Sequence, residues 1–146
     1  MLVRLPFLRE EFDDITPLQL YFVRTLTFED ILAGTSLCRT PLLFLRHIHH
    51  LNVGIGVDKL FGCTDRVLGG ISQSAQLDAW KAQQRANGEL SIIELYKSGS
   101  RIMLQLWEGT GIVEGLAAIV AETFRCAAVI YLNVVISGEI IVSYTK

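Results

Sequence analysis

Val57-Asp58-Lys59-Leu60-Phe61-Gly62-Cys63-Thr64-Asp65-Arg66-Val67-Leu68 sets the fold class of this chain. A loop closes on Gly62, and Thr64 stands where its side-chain oxygen can accept from the free N–H groups of a helix's first turn. Asp65 adds negative charge at the positive end of that helix. An amphipathic run follows: Val67, Leu68, Ile71, Ala75, Ala79 and Ala82 fall within one third of the wheel at about 100° per residue. Gly69-Gly70 lies inside the predicted helix, at a cost of about 1 kcal/mol per Gly relative to Ala. The expected reason is close approach by a neighbouring helix. Leu77 and Trp80 point away from the stripe, which calls for a bend or a second contact surface. Asn87-Gly88 ends the element.

On the C-terminal side, Leu90 to Trp107 reads as helical, with Lys97-Ser98-Gly99-Ser100 predicted to split it. Glu108-Gly109-Thr110-Gly111 closes that piece. The last helix is predicted from about Ile112 to Ile136. Its stripe of Glu114, Ala118, Glu122, Arg125, Val129 and Asn133 holds most of the polar residues. A helix so apolar elsewhere is expected to be mostly buried, with that strip toward water or a partner. Glu122 and Arg125, three apart, can pair. Ser137-Gly138 is the predicted end, and Glu139 to Tyr144 has strand-like residues without an evident partner.

On the N-terminal side, Thr16-Pro17 is a helix start, with Thr at the cap and Pro at the first helical position. Leu18, Phe22 and Leu26 recur every four residues beside Tyr21, a stripe expected to need tertiary contacts. Thr27-Phe28-Glu29-Asp30 resembles a second capping signal, Gly34 offers an exit, and Arg39-Thr40-Pro41 marks a boundary. Leu42 to Leu51 reads as a short helix bearing histidines, followed by a Gly-punctuated loop. The expected architecture is all-α: packed helices in several antiparallel pairs, forming one domain over residues 1–146 with irregular ends.

Composition narrows the function. The 146 residues are 51% hydrophobic and 19% charged, the opposite of a disordered chain. So little polar surface implies that some packing neighbours come from elsewhere. A net charge of −2 with scattered basic residues gives no footprint for direct nucleic-acid binding. Cys38, Cys63 and Cys126 are odd in number and widely spaced, which favours buried free thiols over a disulfide framework or zinc site. The first eleven residues lack the long apolar stretch and cleavage site of a secretory signal. Leu116 to Ile136 is long enough to cross a membrane, but Glu122, Arg125 and Asn133 favour a buried core helix.

Few residues invite chemistry. His47 and His50 have helical ligand spacing, and His49 lies between them, but no second spaced pair supports a metal. A partly exposed helix end is the simpler reading. Gly54-Ile55-Gly56 lacks the strand and third Gly of a phosphate cradle. Cys63, next to a helix N-terminus, could be a lowered-pKa thiol, and a small buried thiol is favoured. Glu10, Glu11, Asp13 and Asp14 read as a solvated acidic segment. No catalytic, cofactor-binding or metal-ligating residue is assigned, no cofactor is expected, and the chain is read as a non-enzyme.

The segment from Val57 to Leu68, with Asp58, Leu60-Phe61, Gly62-Cys63 and Thr64 ahead of Val67, Leu68 and Ile71, resembles the fungal-specific transcription factor domain of binuclear zinc cluster regulators. Ala121 to Leu132 is similar to a later helix of that family through Ala121-Glu122, Arg125, Ala127-Ala128 and Ile130-Tyr131-Leu132. Asp30-Ile31-Leu32-Ala33-Gly34-Thr35 through Pro41 is similar to an earlier segment. The three stand in family order over about residues 16 to 138. The resemblance implies a nuclear regulatory domain whose partners are other protein regions, co-regulators or its own copies, with no membrane and no direct nucleic-acid contact. The family's six-cysteine DNA-contacting module is not in this sequence, and the early end leads us to expect a piece of a longer regulator. Two other readings are a helical small-molecule-binding or enzyme-like protein with His47, His49 or Cys63 at a pocket mouth, and a membrane-associated helical protein.

Overall fold

A computed structural model describes residues 16–42, 61–108 and 115–143, the last five of these in backbone only. Four helices make up the described residues: α1 Pro17–Leu37, α2 Asp65–Asn87, α3 Ile92–Trp107 and α4 Leu116–Ser143. No strand occurs among them. The expected all-α architecture is the observed one.

Local chemistry fixes the helix starts. The Thr16 side chain accepts from Gln19 N–H, while Gln19 Oε1 accepts from Thr16 N–H at 2.8 Å, a reciprocal capping box with Pro17 just inside it. Thr64 Oγ1 accepts from Val67 N–H at 3.3 Å, as its place in the sequence predicts. Ser91 caps α3 by accepting from Glu94 N–H. Gly88, at φ +72°, ends α2 in the left-handed conformation that a Cβ disfavours.

α2 is the central element and packs on each of the other three, while α3 also packs on α4. Residues 67–72 of α2 are buried on every side of the helix. The predicted stripe holds for Val67, Leu68, Ile71 and Ala75, fades at half-buried Ala79 and fails at exposed Ala82. Leu77 is buried and Trp80 lines the core, so α2 has a second contact surface. Gly70 does what close packing asks: a Cβ on it would sit 3.0 Å from Leu106 Cγ of α3 and closer still to its Cδ2. Register follows from named contacts. Gln73 reaches Gln105 at 2.9 Å, and Gly99 of α3 receives Ile136 of α4, so α3 runs antiparallel to both α2 and α4. α2 and α4 run in the same direction, since Gly62 meets Val120 and Lys81 Nζ donates to Val135 O at 2.9 Å.

One core joins all four helices, including Ile31, Leu68, Leu95, Leu106, Leu132 and Val135. At one end Phe28 of α1 stacks on Phe61, centroids 4.2 Å apart, and meets Phe124 of α4 edge-on at 6.0 Å.

Four local expectations are corrected. Thr27-Phe28-Glu29-Asp30 starts no helix; α1 runs through it, and Thr27 and Phe28 are buried. Gly34 is no exit either: it lies inside α1, and Arg39 O and Pro41 Cγ come within 3.0 Å of where its Cβ would be, so the chain folds back over it. Arg39 Nη2 holds that return by pairing with Asp30 Oδ1 at 3.0 Å. Lys97-Ser98-Gly99-Ser100 does not split α3, because Gly99 is a contact point for Ile136 and not a break. α4 passes through Ser137-Gly138 to Ser143, so the strand-like tail is helical as far as Ser143. At Thr27-Phe28, Gly34 and Gly99 local propensity gave way to tertiary packing. The predicted helix from Leu42 to Leu51 lies outside the described residues.

Candidate functional site

The outer side of α4 faces solvent. Its inner side is set by Ala128, Leu132 and Val135, all buried, with Arg125 at its edge. Leu116, Ile119, Ile130 and Val134 lie on the opposite side and are 60–76% exposed. Exposed Thr123, Cys126 and Ala127 join them. The expectation of a mostly buried helix with a polar strip outward is therefore overturned. The apolar residues form the outward strip, because three neighbouring helices cover only part of the circumference. Covering each such Leu, Ile or Val completely is worth about 1.5–3 kcal/mol. α1 repeats the pattern. Leu18, Phe22 and Leu26 are 52–65% exposed, and the side of α1 that enters the core carries Phe28 and Ile31 instead.

The predicted polar strip is divided by packing. Glu122 and Asn133 are exposed, Ala118 and Val129 are half-buried, Arg125 is buried, and Glu114 lies outside the described residues. Arg125 lies over the Trp107 ring with its guanidinium carbon 4.1 Å from the centroid. Its Nε donates to Glu122 Oε2 at 2.7 Å, and its Nη2 to Glu122 Oε1. The hydrogen bond from Arg125 holds the Glu122 carboxyl below the usual carboxylate range. Sequence spacing identified the ion pair but not Trp107, whose approach depends on how α3 crosses α4. A Trp at a helix end facing a cation on an apolar helix is the signal that could have found it.

A second polar junction joins α1, α2 and α4. Lys81 Nζ pairs with Asp78 Oδ1 at 3.1 Å, both side chains largely buried. Cys38, the left-handed cap of α1 at φ 48°, donates its thiol to Asp78, and that bond raises its pKa. Burial, helped by the Asp78 charge, raises the Tyr131 hydroxyl as well. Cys38, Asp78 and Lys81 tie the helices together, while the Tyr131 hydroxyl is buried without a hydrogen-bond partner among the described residues.

The thiols correct another expectation. Of the three free cysteines only Cys63 is buried, whereas Cys38 and Cys126 are exposed. Cys63 has no exposed surface, and burial pushes its thiol up to about 12, contrary to the lowered value that its place beside a helix start allowed. It cannot stand at a pocket mouth. A shallow hollow between Ile92, Ile93, Tyr96, Lys97, Ser100 and Arg101 is lined by α3 alone. Among the described residues, no group of three or more His, Cys, Asp or Glu is placed to hold a metal. His47, His49, His50, the Gly54–Gly56 loop and the acidic Glu10–Asp14 segment lie outside the described residues.

Leu116–Gly138 is long and apolar enough to cross a membrane by length and composition. Its inner side, however, packs on α2, whose Lys81 reaches Val135 O and pairs with Asp78 there. In this packing a span would draw those charges into hydrocarbon.

No curated protein and no solved structure matches the chain. Residues 4–144 match the fungal specific transcription factor domain, nearly the whole chain. The chain thus belongs to the fungal specific transcription factor domain family, whose role lies in the regulation of transcription.

Proposed function

We propose that this chain is the protein-contacting regulatory region of a fungal transcription factor, that it works in the nucleus, and that it leaves DNA recognition to another module. The family match over residues 4–144 carries the reading. Two physical features support it. Apolar outer faces on α1 and α4 are suited to partner helices. The net charge of −2 offers no basic stripe to a phosphate backbone.

Fusing the chain to an independent DNA-binding module and measuring reporter output in a fungal host tests this. The expected result is a change in transcription that depends on the fused chain. Sequence-specific DNA binding by the isolated chain, or a fusion with no effect on the reporter, would overturn it.

A further inference from the structure

Unlike the outer face of α4, the outer face of α3 carries cations. Buried Leu95, Ile102 and Leu106 turn one side of α3 to the core. At about 100° per residue, Ile93, Ser100 and Leu104 then run down the middle of the solvent side. Ile93 and Leu104 are 60–68% exposed. Exposed Tyr96 and Trp107 line one edge of this stripe, and exposed Lys97 and Arg101, one turn apart, line the other. Small Ser100 leaves the shallow hollow that Ile93, Tyr96, Lys97 and Arg101 surround.

The two cations say what kind of surface this face fits. Arg39, Arg66, Lys81 and Arg125 each pair with a carboxylate, whereas Lys97 and Arg101 pair with none among the described residues. They stand beside apolar side chains that water also covers, so one occupant can satisfy both. From Ile93 to Leu104 is three turns, about 16 Å. A helix of that length laid along α3 would cover the apolar middle and set carboxylates one turn apart against Lys97 and Arg101. Such pairs fix register and orientation more than they add affinity. Tyr96 and Arg101 are of the residue types that anchor protein interfaces. A membrane surface fits less well. It responds to the summed charge of the face, where exposed Glu94 and Glu108 offset Lys97 and Arg101. A protein partner meets the two cations individually.

We propose that the outer face of α3 docks an acidic amphipathic helix of another protein, with an apolar stripe on Ile93 and Leu104 and carboxylates on Lys97 and Arg101. The inference rests on the protein-contact reading above and names the partner's chemistry.

Fluorescence anisotropy of the full chain with a labelled synthetic helix, its leucine stripe edged by glutamates, tests the proposal. The expected dissociation constant is roughly ten micromolar, rising with salt. Lys97→Glu with Arg101→Glu should weaken binding about a hundredfold. The same variant should bind a lysine-edged version of the peptide that wild type refuses, a gain that no unfolding can imitate. Ile93→Ser with Leu104→Ser should weaken binding with the helical circular dichroism retained, and Ile119→Ser on α4 should leave it unchanged. A carbodiimide should couple a peptide glutamate to Lys97. No binding at about a millimolar peptide, binding indifferent to the charge reversal, or coupling spread evenly over the lysines would overturn the proposal. Wild-type binding to vesicles of phosphatidylserine and phosphatidylcholine in place of the peptide would assign the face to a membrane and overturn it too. A chain that drives the reporter fusion without binding the peptide sinks the α3 site alone; peptide binding with a silent reporter sustains the site and sinks the regulatory reading.

Discussion

Gly70 of α2 and Leu106 of α3 share one space: a side chain on the first would enter the volume that the second fills. Leu106 is 1% exposed, so its methyl groups have nowhere to go. Gly70→Ala therefore sets overpacking, typically about 1–3 kcal/mol, against a helix-propensity gain of about 1 kcal/mol. The net should be a loss of up to about 2 kcal/mol in urea unfolding. Gly99→Ala meets Ile136, which is only half-buried and can shift, so its effect should be smaller. Equal losses at the two glycines would contradict this account.

Trp107 carries Arg125 on its ring face, and a cation there is worth about 0.5–2 kcal/mol. Trp107→Ala should lose that amount plus apolar packing, and Trp107→Phe should keep part of it. A double-mutant cycle with Arg125→Met isolates the pair. A coupling energy indistinguishable from zero would mean that the stacking contributes nothing to stability.

These two contacts mark what could be read from the chain and what could not. The caps at Thr16 and Thr64, the end at Gly88, and the Glu122–Arg125 pair depend on neighbours in sequence, and each was legible there. Close approach at Gly70 was legible too, since glycines inside an amphipathic helix have few other uses. Gly34, Gly99 and Gly138 were misread as exits because Gly is a local breaker only where nothing packs around it. Around Gly34 and Gly99, Pro41 and Ile136 supply the reason for a small residue. The outward apolar faces of α1 and α4 were misassigned for a related reason. Periodicity shows that a helix has an oily side, but not how many neighbours are present to cover it.

Capping should matter in proportion to what each helix supports. Thr64→Ala removes the acceptor for Val67 N–H at the head of α2, the helix that touches all the others. It should cost about 1 kcal/mol of global stability. Thr16→Ala breaks a capping box at the start of a stretch whose Leu18, Tyr21, Phe22 and Leu26 are exposed. Its loss should show as local fraying, with faster amide exchange in the first turns of α1 and little change in the unfolding midpoint. Global destabilisation by Thr16→Ala equal to that by Thr64→Ala would show that the N-terminal turns of α1 are bound into the cooperative unit.

Alkaline pH should loosen the fold through its buried thiol. In the unfolded chain Cys63 ionises near 8.5, whereas in the folded chain burial holds the thiol protonated up to about 12. The unfolded state thus releases a proton first. The stability contributed by keeping Cys63 neutral is complete below the unfolded pKa and declines as pH rises between the two values. Urea midpoints should fall across that window, and Cys63→Ala should flatten the fall although it lowers stability at neutral pH by leaving a small cavity. Thiol labelling gives an independent check. Exposed Cys126 should react in the native protein, Cys38 more slowly than its exposure alone implies because Asp78 holds its proton, and Cys63 only on unfolding. Native-state labelling of Cys63 at the rate of Cys126 would mean that the packing of Gly62 against Val120 opens readily, and the pH argument would fail with it.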